Sequence, residues 1–293
     1  MIDMNEARKL ISETFQDFLI KEFTLLGIGK ASTVYLANGE TIFKIPLQSE
    51  GEMARWQRNE AVVLRYLEGK LDIEIPKILC TATSSDGRLI IGETFLSGTP
   101  LSYELYDTYD KETQAEILRQ LGKIVRQLHE VGDELPCQIE GDEETLEEII
   151  AEFKQRFSAE TQSVFRPEEI DEIKEIVEQY KKISVQYPVK PVLCHGDLHF
   201  YNLMFDERSK QITGLLDFGC VGYSEPARDW HYYFERKHVL EGYGDNGDKY
   251  FLERQKFHAL SWLLNNLGEE IQEKQKPYKS LKFIRDYILA ERA

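Results

Sequence analysis

Residues 194–205 read CHGDLHFYNLMF, and residues 215–220 read LLDFGC. These two stretches set Asp197, Asn202 and Asp217 in the order and spacing of a phosphoryl-transfer site. Such a site needs one carboxylate to receive a proton, and an amide and a second carboxylate to hold magnesium. Either tripeptide, H-x-D or D-F-G, is a weak signal alone, whereas the ordered pair is far more specific.

The residues between the two motifs predict a hairpin. Residues 202–205 and 212–216 are short apolar stretches, which are typical of two neighbouring strands. Such a hairpin would return Asp217 to the side of Asn202. The short loop from Asp197 to Asn202 could then aim both of its polar side chains into the same cleft. We therefore expect all three side chains to meet in one site.

The pattern H-G-D-L-H-x-x-N-L followed by L-L-D-F-G resembles the signature of the aminoglycoside phosphotransferases, antibiotic kinases that share the fold of the eukaryotic protein kinases. Within that family the 2''-phosphotransferases look closest. The resemblance implies that Asp197 is the catalytic base and binds the acceptor hydroxyl, and that Asn202 and Asp217 hold Mg²⁺. It extends from about Phe23 to the C-terminus and is sharpest over residues 192–229.

The resemblance also implies an α+β, bilobal, protein-kinase-like fold. An antiparallel β-rich lobe with one key helix would occupy residues 1–95 and bind the nucleotide. Residues 96–99 would form a hinge, and residues 100–293 a larger, mainly helical lobe that carries the catalytic loop and the substrate site. The apolar periodicity predicts helices over residues 5–20, 112–131, 142–157 and 167–183.

A glycine-containing turn separates the first two predicted strands. Gly27 and Gly29 form a G-x-G, which lets backbone amides approach phosphates without interference from a Cβ atom. Ser32 stands where protein kinases have a third glycine. The resemblance implies that Gly27, Gly29 and Ser32 bind the nucleotide. The segment is not a Walker loop, since no G-x-x-x-x-G-K-S/T occurs in the chain.

Lys44 lies among apolar residues in the sequence IFKIP, residues 42–46. It could point to solvent from a sheet edge, or contact the α- and β-phosphates as the family's third-strand lysine does. The next predicted helix, residues 52–67, places Glu60 on its apolar face, where a carboxylate is costly unless it is paired. We therefore predict a Lys44–Glu60 ion pair at the nucleotide site, which is the arrangement of the kinase fold.

The sequence ETFLSGTPL, residues 93–101, predicts an extended segment that ends in a turn, as expected of a hinge between two lobes. The resemblance implies that the purine binds backbone groups near Thr94 and Leu96. Because backbone contacts leave little trace in side-chain identity, the phosphoryl donor is predicted as ATP or GTP, with no choice between them.

Acceptor recognition is expected downstream, on a helix predicted over residues 226–240. In the aminoglycoside kinases, acids in this region face the ammonium groups of the antibiotic, so the resemblance implies substrate-binding roles for Glu235 and Glu241. Residues 236–238 are basic, where the 2''-phosphotransferases tend to be acidic. Trp262 could stack on a sugar ring, although its apolar neighbours favour a core position.

The chain is acidic, with a formal net charge of −16 from 36 basic and 52 acidic residues. This charge argues against nucleic acid as a partner, since phosphate binding needs a basic surface. It is compatible with a small cationic substrate that an acidic cleft would attract. The charge alone favours the simpler interpretation, an ordinary acidic protein.

The chain shows no pattern of secretion or membrane insertion. Its four cysteines have neither C-x-x-C nor metal-ligand spacing, which is typical of free thiols in a reducing compartment. Nothing near Met1 resembles a signal peptide, and no apolar run reaches the length of a membrane span. We therefore expect a cytoplasmic protein without a membrane partner, and a monomer.

The sequence thus predicts an Mg²⁺-dependent phosphotransferase that moves the γ-phosphoryl group of ATP or GTP to a hydroxyl of an aminoglycoside and so confers resistance. A small-metabolite kinase of the same fold, acting on choline, homoserine, a thiosugar or a fructosamine, shares these motifs and stays open. A protein kinase is disfavoured because no Ala-Pro-Glu follows residues 217–219. A pseudokinase binding module is disfavoured because Lys44, Asp197, Asn202 and Asp217 are retained together.

Overall fold

The N-terminal part of the chain forms an antiparallel sheet of five strands in the order β1-β2-β3-β5-β4. The computed structural model describes residues 3–131, 139–140, 145–230 and 236–289. The sheet strands are β1 (Phe23–Ile28), β2 (Ser32–Ala37), β3 (Thr41–Pro46), β4 (Ile78–Thr83) and β5 (Leu89–Thr94). All six residues of β3 are buried, because this strand lies in the middle of the sheet with covered faces on both sides.

Helix α1 (Met4–Thr14) covers one face of this sheet. Its first turn is fixed by Asp3, whose carboxylate accepts from the backbone N–H groups of two residues of that turn. The predicted helix over residues 5–20 was wrong beyond Thr14. Phe15 and Phe18 leave the helical path and pack on Phe43 of β3, with ring centroids 5.6 and 5.0 Å apart. Burial of these rings therefore ends the helix where the local sequence would have allowed it to continue.

Helix α2 (Glu52–Leu67) has the predicted bounds. Its apolar face buries Val63, Leu64 and Leu67 in a core shared with the helical part of the chain. Gln57 ties the helix to the sheet, because its side-chain amide donates to backbone oxygens of β3 and β5, both at 2.8 Å. These contacts fix the distance between α2 and the strand that carries Lys44.

The C-terminal part of the chain is mainly helical, with short strands that frame the site. Its described helices are α3 (Tyr103–Asp107), α4 (Lys111–Val131), α5 (Leu146–Arg156), α6 (Ala159–Gln162), α7 (Pro167–Gln186), α8 (Arg236–Tyr243), α9 (Phe251–Gln272) and α10 (Lys279–Phe283). Its strands are β6 (Thr99–Pro100), β7 (Val192–Cys194), β8 (Leu203–Asp206), β9 (Gln211–Leu215) and β10 (Gly222–Ser224). A β-rich N-terminal part and a helical C-terminal part confirm the predicted α+β class. The residue boundaries predicted for the lobes and the hinge stay predictions.

The segment after residue 225 differs from the single helix predicted over residues 226–240. Pro226–Trp230 forms a 3₁₀ turn, and the α-helix α8 begins at Arg236, beyond residues that lie outside the described part of the chain. Trp230 is almost fully buried, which anchors this turn in the core beneath the site. Among the described residues, no helix combines the length and the apolar character that a membrane span requires.

Two glycines allow α8 to lie directly against α4. A Cβ atom on Gly242 would be 2.0 Å from the backbone oxygen of Arg119, and one on Gly122 would be 2.2 Å from that of Val239. No side chain larger than hydrogen fits at either position without separating the helices. This close contact holds α8 against α4, the helix that also packs on β7.

Candidate active site

Residues 195–202, which carry the predicted base Asp197 and are called the catalytic loop below after that prediction, follow β7, and the pairing of β7 with β10 holds the start of the loop in place. Asp197 lines a cavity of about 950 Å³ between the sheet and the helical part of the chain. Asn202 lies in the 3₁₀ turn Phe200–Asn202, and its side-chain amide donates to the backbone oxygen of Asp197 at 2.9 Å. The same amide nitrogen is 3.4 Å from Asp197 Oδ2. The structure therefore brings these two predicted residues into direct contact.

The predicted hairpin joins β8 and β9, with Leu203 opposite Leu215. Its strands differ by one residue at each end from the predicted stretches. Beyond the hairpin, the N–H of Leu216 donates to the backbone oxygen of Asn202 at 2.8 Å. Asp217 thus stands beside Asn202, and it also lines the cavity. Its φ of 60° is uncommon for a residue other than glycine, and strain of this kind concentrates at functional sites.

The oxygen atoms at this position fit a magnesium ion. Mg²⁺ prefers hard oxygen ligands from carboxylates and amide carbonyls. Asn202 uses its amide nitrogen in the bond to the Asp197 main chain, which leaves its carbonyl oxygen for a cation. Asp217 adds a carboxylate that faces the cavity. Asn202 is buried and does not itself line the cavity.

Lys44 forms the predicted ion pair with Glu60, and its ammonium group contacts a second carboxylate as well. Lys44 Nζ lies 2.6 Å from Glu60 Oε1 and 3.2 Å from Glu93 Oε1, and all three residues are buried. Burial alone would lower the pKa of Lys44, but the two carboxylates outweigh burial and hold the pKa above its ordinary value. Burial raises the pKa of Glu60, the charge of Lys44 lowers it, and the net result is a pKa of about 7. Lys44 is therefore charged and directed into the cleft.

Glu93 is a functional candidate that the sequence reasoning missed. It lies on β5 opposite Ile42 of β3. Lys44 follows Ile42 by two residues, so Glu93 and Lys44 are on the same face of the sheet. Burial raises the pKa of Glu93 also, and its Oε2 atom has no hydrogen-bond partner among the described residues. Alternation along two paired strands could have placed Glu93 beside Lys44, but the register of β3 against β5 was not known from the sequence.

Asp229 holds the catalytic loop by its main chain, and it too was missed. Its two carboxylate oxygens accept from the N–H groups of His195, at 2.9 Å, and Gly196, at 2.8 Å. Oδ2 also contacts Nε2 of His129 at 3.0 Å, and the other ring nitrogen of His129 is 2.7 Å from the hydroxyl of Tyr243. Burial alone would raise the pKa of Asp229, but the contacts with His129, His195 and Gly196 outweigh it and hold the pKa at about 2.

The same cluster has the dimensions of a metal site, but its atoms are already engaged. Donor atoms of His129, Cys194 and Asp229 lie within 4.8 Å of one another. Both ring nitrogens of His129 have partners, and the thiol of Cys194 lies 3.7 Å from the backbone oxygen of Ser224. Burial holds the pKa of Cys194 well above its ordinary value, so the thiol is protonated. The cluster therefore supports the loop and does not offer a cation site.

The glycine-containing turn lies over the cavity. Gly29 and Ser32 line it, whereas Gly27 does not, and the N–H of Gly29 closes the turn on the oxygen of Ser32 at 2.8 Å. Lys30, at the tip of the turn, reaches across to Glu269 of α9 with a separation of 2.9 Å. Both partners are mostly exposed, so this bridge adds little stability, although it marks where the turn meets the helical part.

Two backbone N–H groups just before the predicted hinge already donate hydrogen bonds within the protein. The N–H of Thr94 donates to Lys77 at 3.0 Å, and that of Phe95 donates to Glu40 at 2.8 Å. Thr94, Phe95 and Leu96 do not line the main cavity. The predicted purine contacts are Thr94 and Leu96. The bond to Lys77 occupies the N–H of Thr94, whereas neither of these two bonds uses the N–H of Leu96.

Of the two acids predicted to bind the acceptor, only Glu241 belongs to the described part of the chain. Glu235 lies outside the described residues. Glu241 does not line the cavity, and its carboxylate contacts Arg119 of α4 at 2.9 Å and His238 of α8 at 3.0 Å. The hydrogen bond with His238 contributes most to lowering the pKa of Glu241 and the one with Arg119 comes next, and together they hold this pKa at about 2. Trp262, for which the core position was favoured, lines the cavity instead.

Comparisons with known proteins identify the family and the fold. The family model described as "Phosphotransferase enzyme family" matches residues 22–254. The structure of aminoglycoside 2'-phosphotransferase-IIIa with GDP superimposes with a TM-score of 0.82 at 19% identity, over 98% of this chain and 99% of that one. The gentamicin complex of APH(2'')-IIa gives 0.71 at 18%, over 98% and 97%. The macrolide 2'-phosphotransferase MphH of Brachybacterium faecium gives 0.66 at 16%, over 96% and 97%. These likenesses confirm the predicted kinase-like fold.

Proposed function

The chain belongs to the phosphotransferase enzyme family, and from that premise we propose that it transfers the γ-phosphoryl group of ATP or GTP to a hydroxyl group of a small molecule. The observation that carries the proposal is the convergence of Asp197, Asn202 and Asp217 beside one cavity, with the Lys44–Glu60 pair facing them. Likeness to structures that hold GDP, ADP or ATP supports a nucleoside triphosphate as the donor.

In this proposal Asp197 receives the proton of the acceptor hydroxyl and orients its oxygen for attack. Its contact with Asn202 and the grip of Asp229 on the loop amides support a fixed carboxylate position. Mg²⁺ held by Asp217 and the carbonyl oxygen of Asn202 would neutralise charge on the phosphate oxygens. Lys44, oriented by Glu60, contacts the α- and β-phosphates.

The remaining nucleotide contacts come from the turn and the hinge. Gly29 and Ser32 would cover the phosphates, and Leu96 would offer a backbone N–H to the purine. Gly27 does not line the cavity, and its nucleotide contact stays a prediction from the sequence. Adenine and guanine both present ring acceptors to such a donor, so ATP and GTP are equally compatible with this contact. The cytoplasmic, monomeric state expected from the sequence stays a prediction.

Fewer observations bear on the identity of the acceptor than on the phosphoryl transfer. An aminoglycoside, with resistance as the consequence, is supported by the likeness to structures that hold kanamycin and gentamicin and by the net charge of −16. The position of Glu241 away from the cavity gives no support to that assignment. A weakly charged acceptor is the second candidate, because macrolide phosphotransferases have a similar fold. The residues that line the cavity favour this second candidate.

The chemistry is tested by NDP release with Mg²⁺ and either ATP or GTP, together with calorimetric titration of the nucleotide. Asp217→Asn should abolish the Mg²⁺-dependent part of nucleotide binding, because it removes the one carboxylate of the proposed metal site. Asp206→Asn, which neutralises an acid at the end of the same hairpin, is the matched control and should bind as wild type. Nucleotide binding by Asp217→Asn that responds to Mg²⁺ as in wild type would refute the proposal.

A further inference from the structure

The walls of the main cavity point to an acceptor class, an inference that rests on the proposed phosphotransferase function. We propose that the acceptor is a hydroxylated molecule recognised through an uncharged, apolar ring face and carrying at most one positive charge, and that it is not a polycation. The wall that would meet the acceptor is aromatic, and the described carboxylates at the cavity are already committed to other groups.

Aromatic side chains from two separate parts of the chain line the cavity together with Asp197. Tyr103 of α3 and Tyr201 of the catalytic loop are 39% and 46% exposed, with ring centroids 5.7 Å apart. Trp262 of α9 and Phe283 of α10 line it as well, and Phe283 is 42% exposed. Exposed apolar surface gathered inside a cavity marks a ligand-binding wall, since scattered surface aromatics would not converge in this way.

These rings are held in place by neighbours, so they form a built surface. Tyr103 packs on Phe200 with centroids 4.8 Å apart, and burial raises the pKa of Tyr103 to about 12, which keeps its hydroxyl neutral. Phe283 stacks on Tyr287 with centroids 5.7 Å apart. A rigid aromatic wall offers large apolar contact area at a small cost in side-chain entropy.

The carboxylates that line the cavity in the described part of the chain are already used. They are Glu60, Asp197 and Asp217. Glu60 is paired with Lys44 at 2.6 Å, and the other two serve the proposed proton transfer and metal binding. A polycation bound here would leave most of its ammonium groups without an anionic partner, which is costly in a partly desolvated site.

Carboxylates just behind the wall are engaged by residues of the wall itself. Glu104 accepts from the hydroxyl of Tyr201 at 3.1 Å, and Glu270 accepts from the hydroxyl of Ser280 at 3.0 Å. Lys30 and Lys279 also line the cavity, and the charge of Lys30 is offset by its ion pair with Glu269. The ammonium group of Lys279 disfavours a polycation at the rim and leaves a neutral ring system unaffected.

The test compares three acceptors in the NDP-release assay: kanamycin as the polycation, erythromycin as a macrolide with one amine, and 4-nitrophenyl β-D-glucopyranoside as an uncharged aromatic glycoside. We expect erythromycin or the glucoside to stimulate release with a KM at least about tenfold below that of kanamycin. That KM should stay constant between about 50 and about 500 mM KCl, because no exposed ion pair is formed with the acceptor.

Variants of the wall separate recognition from folding. Phe283→Ala and Tyr201→Ala should each raise the KM for the preferred acceptor about tenfold while the KM for the nucleotide stays unchanged. Phe283→Trp should restore acceptor binding. Tyr187→Ala is the matched control, since Tyr187 is equally exposed at 43% but packs on Tyr250 away from the cavity.

Each contrary result has a distinct meaning. A lower KM for kanamycin that rises steeply with salt would overturn the inference, as would Phe283→Ala and Tyr201→Ala variants with an unchanged acceptor KM. Choline is assayed as a fourth compound, and stimulation by choline without stimulation by erythromycin or the glucoside would also overturn the inference, because a cation held on aromatic faces would then replace stacking on a neutral ring. If none of the three acceptors stimulates release while Mg²⁺-dependent nucleotide binding persists, this inference fails and the proposed chemistry stands. Loss of that nucleotide binding would defeat the proposed chemistry itself.

Discussion

Replacing Asp229 by asparagine should loosen the loop that carries Asp197. The carboxylate is fully buried and accepts from the N–H groups of His195 and Gly196 while it contacts His129. The asparagine amide has the same shape and keeps one acceptor oxygen, but its NH₂ group would face one of the groups that donate to the carboxylate. The substitution therefore removes the negative charge and leaves at least one buried N–H without a partner.

The magnitude follows from the pKa of Asp229. That pKa is about 2 in the folded protein, against 3.8 ordinarily, so the charged contacts contribute about 2 kcal/mol at neutral pH. The unsatisfied donor adds about 1–3 kcal/mol. Together they predict that Asp229→Asn lowers the free energy of unfolding by about 3–5 kcal/mol, in the range found when one partner of a buried pair is removed. Displacement of the loop by about 1 Å would also lower kcat about 100-fold.

The pH dependence has a definite sign. Because the folded pKa lies below the unfolded value, the carboxylate stabilises the protein above about pH 4, and that contribution is lost as the pH falls toward about 2. The difference in unfolding free energy between wild type and Asp229→Asn should therefore shrink by about 2 kcal/mol over this window.

Urea unfolding at neutral and acidic pH, with kcat measured at neutral pH, tests both effects. Asp171→Asn is the control, because Asp171 is an exposed acid paired with Lys174 on α7, and it should change stability by less than about 0.5 kcal/mol. An Asp229→Asn protein within about 1 kcal/mol of wild type, with kcat within about threefold, would refute the role assigned to this carboxylate.

Three further substitutions have defined outcomes. Lys44→Met should weaken Mg²⁺-nucleotide binding by about tenfold to a hundredfold in calorimetric titration, because the buried ammonium of Lys44 is the proposed phosphate ligand; unchanged affinity would exclude this role. Gly196→Ala should lower kcat at least about 100-fold with nucleotide affinity retained, since Gly196 has φ +80° and a Cβ would lie 2.1 Å from the oxygen of Cys220; normal turnover would contradict the loop geometry. Gly242→Ala should lower the urea unfolding free energy by about 2–4 kcal/mol, since its Cβ would clash with Arg119.

Gly222→Ala serves as the control for both glycine substitutions. A Cβ at Gly222 would meet nothing within 4 Å, and its φ is not positive. We expect its stability and turnover to match those of wild type. A loss at Gly222 comparable to that at Gly242 would show that close approach of α4 and α8 is not the cause.

Local patterns in the sequence were enough to predict the centre of the site. The loop from Asp197 to Asn202 and the hairpin to Asp217 are short, so their geometry follows from nearby residues. Glu60 could be assigned to Lys44 because a carboxylate on an apolar helix face needs a buried partner. These contacts do not depend on how distant elements pack.

Contacts between distant residues could not be predicted in the same way. Asp229 and His129 meet across 100 positions of sequence, and Glu241 meets Arg119 across 122. Glu241 has an acidic side chain in the expected region, but only the packing of α8 on α4 shows that its partner is an arginine. The end of α1 at Thr14 likewise depends on where Phe15 and Phe18 can be buried.

The central claim is that this site moves a phosphoryl group with Asp197 as the base, and detection of the product tests it most directly. The acceptor is incubated with Mg²⁺ and ATP or GTP, and mass spectrometry is used to find a single phosphate ester on it. We predict that the wild type forms this ester, whereas Asp197→Asn forms it at least about 1,000-fold more slowly with nucleotide affinity within a few-fold of wild type. Ester formation by Asp197→Asn at the wild-type rate would contradict the account.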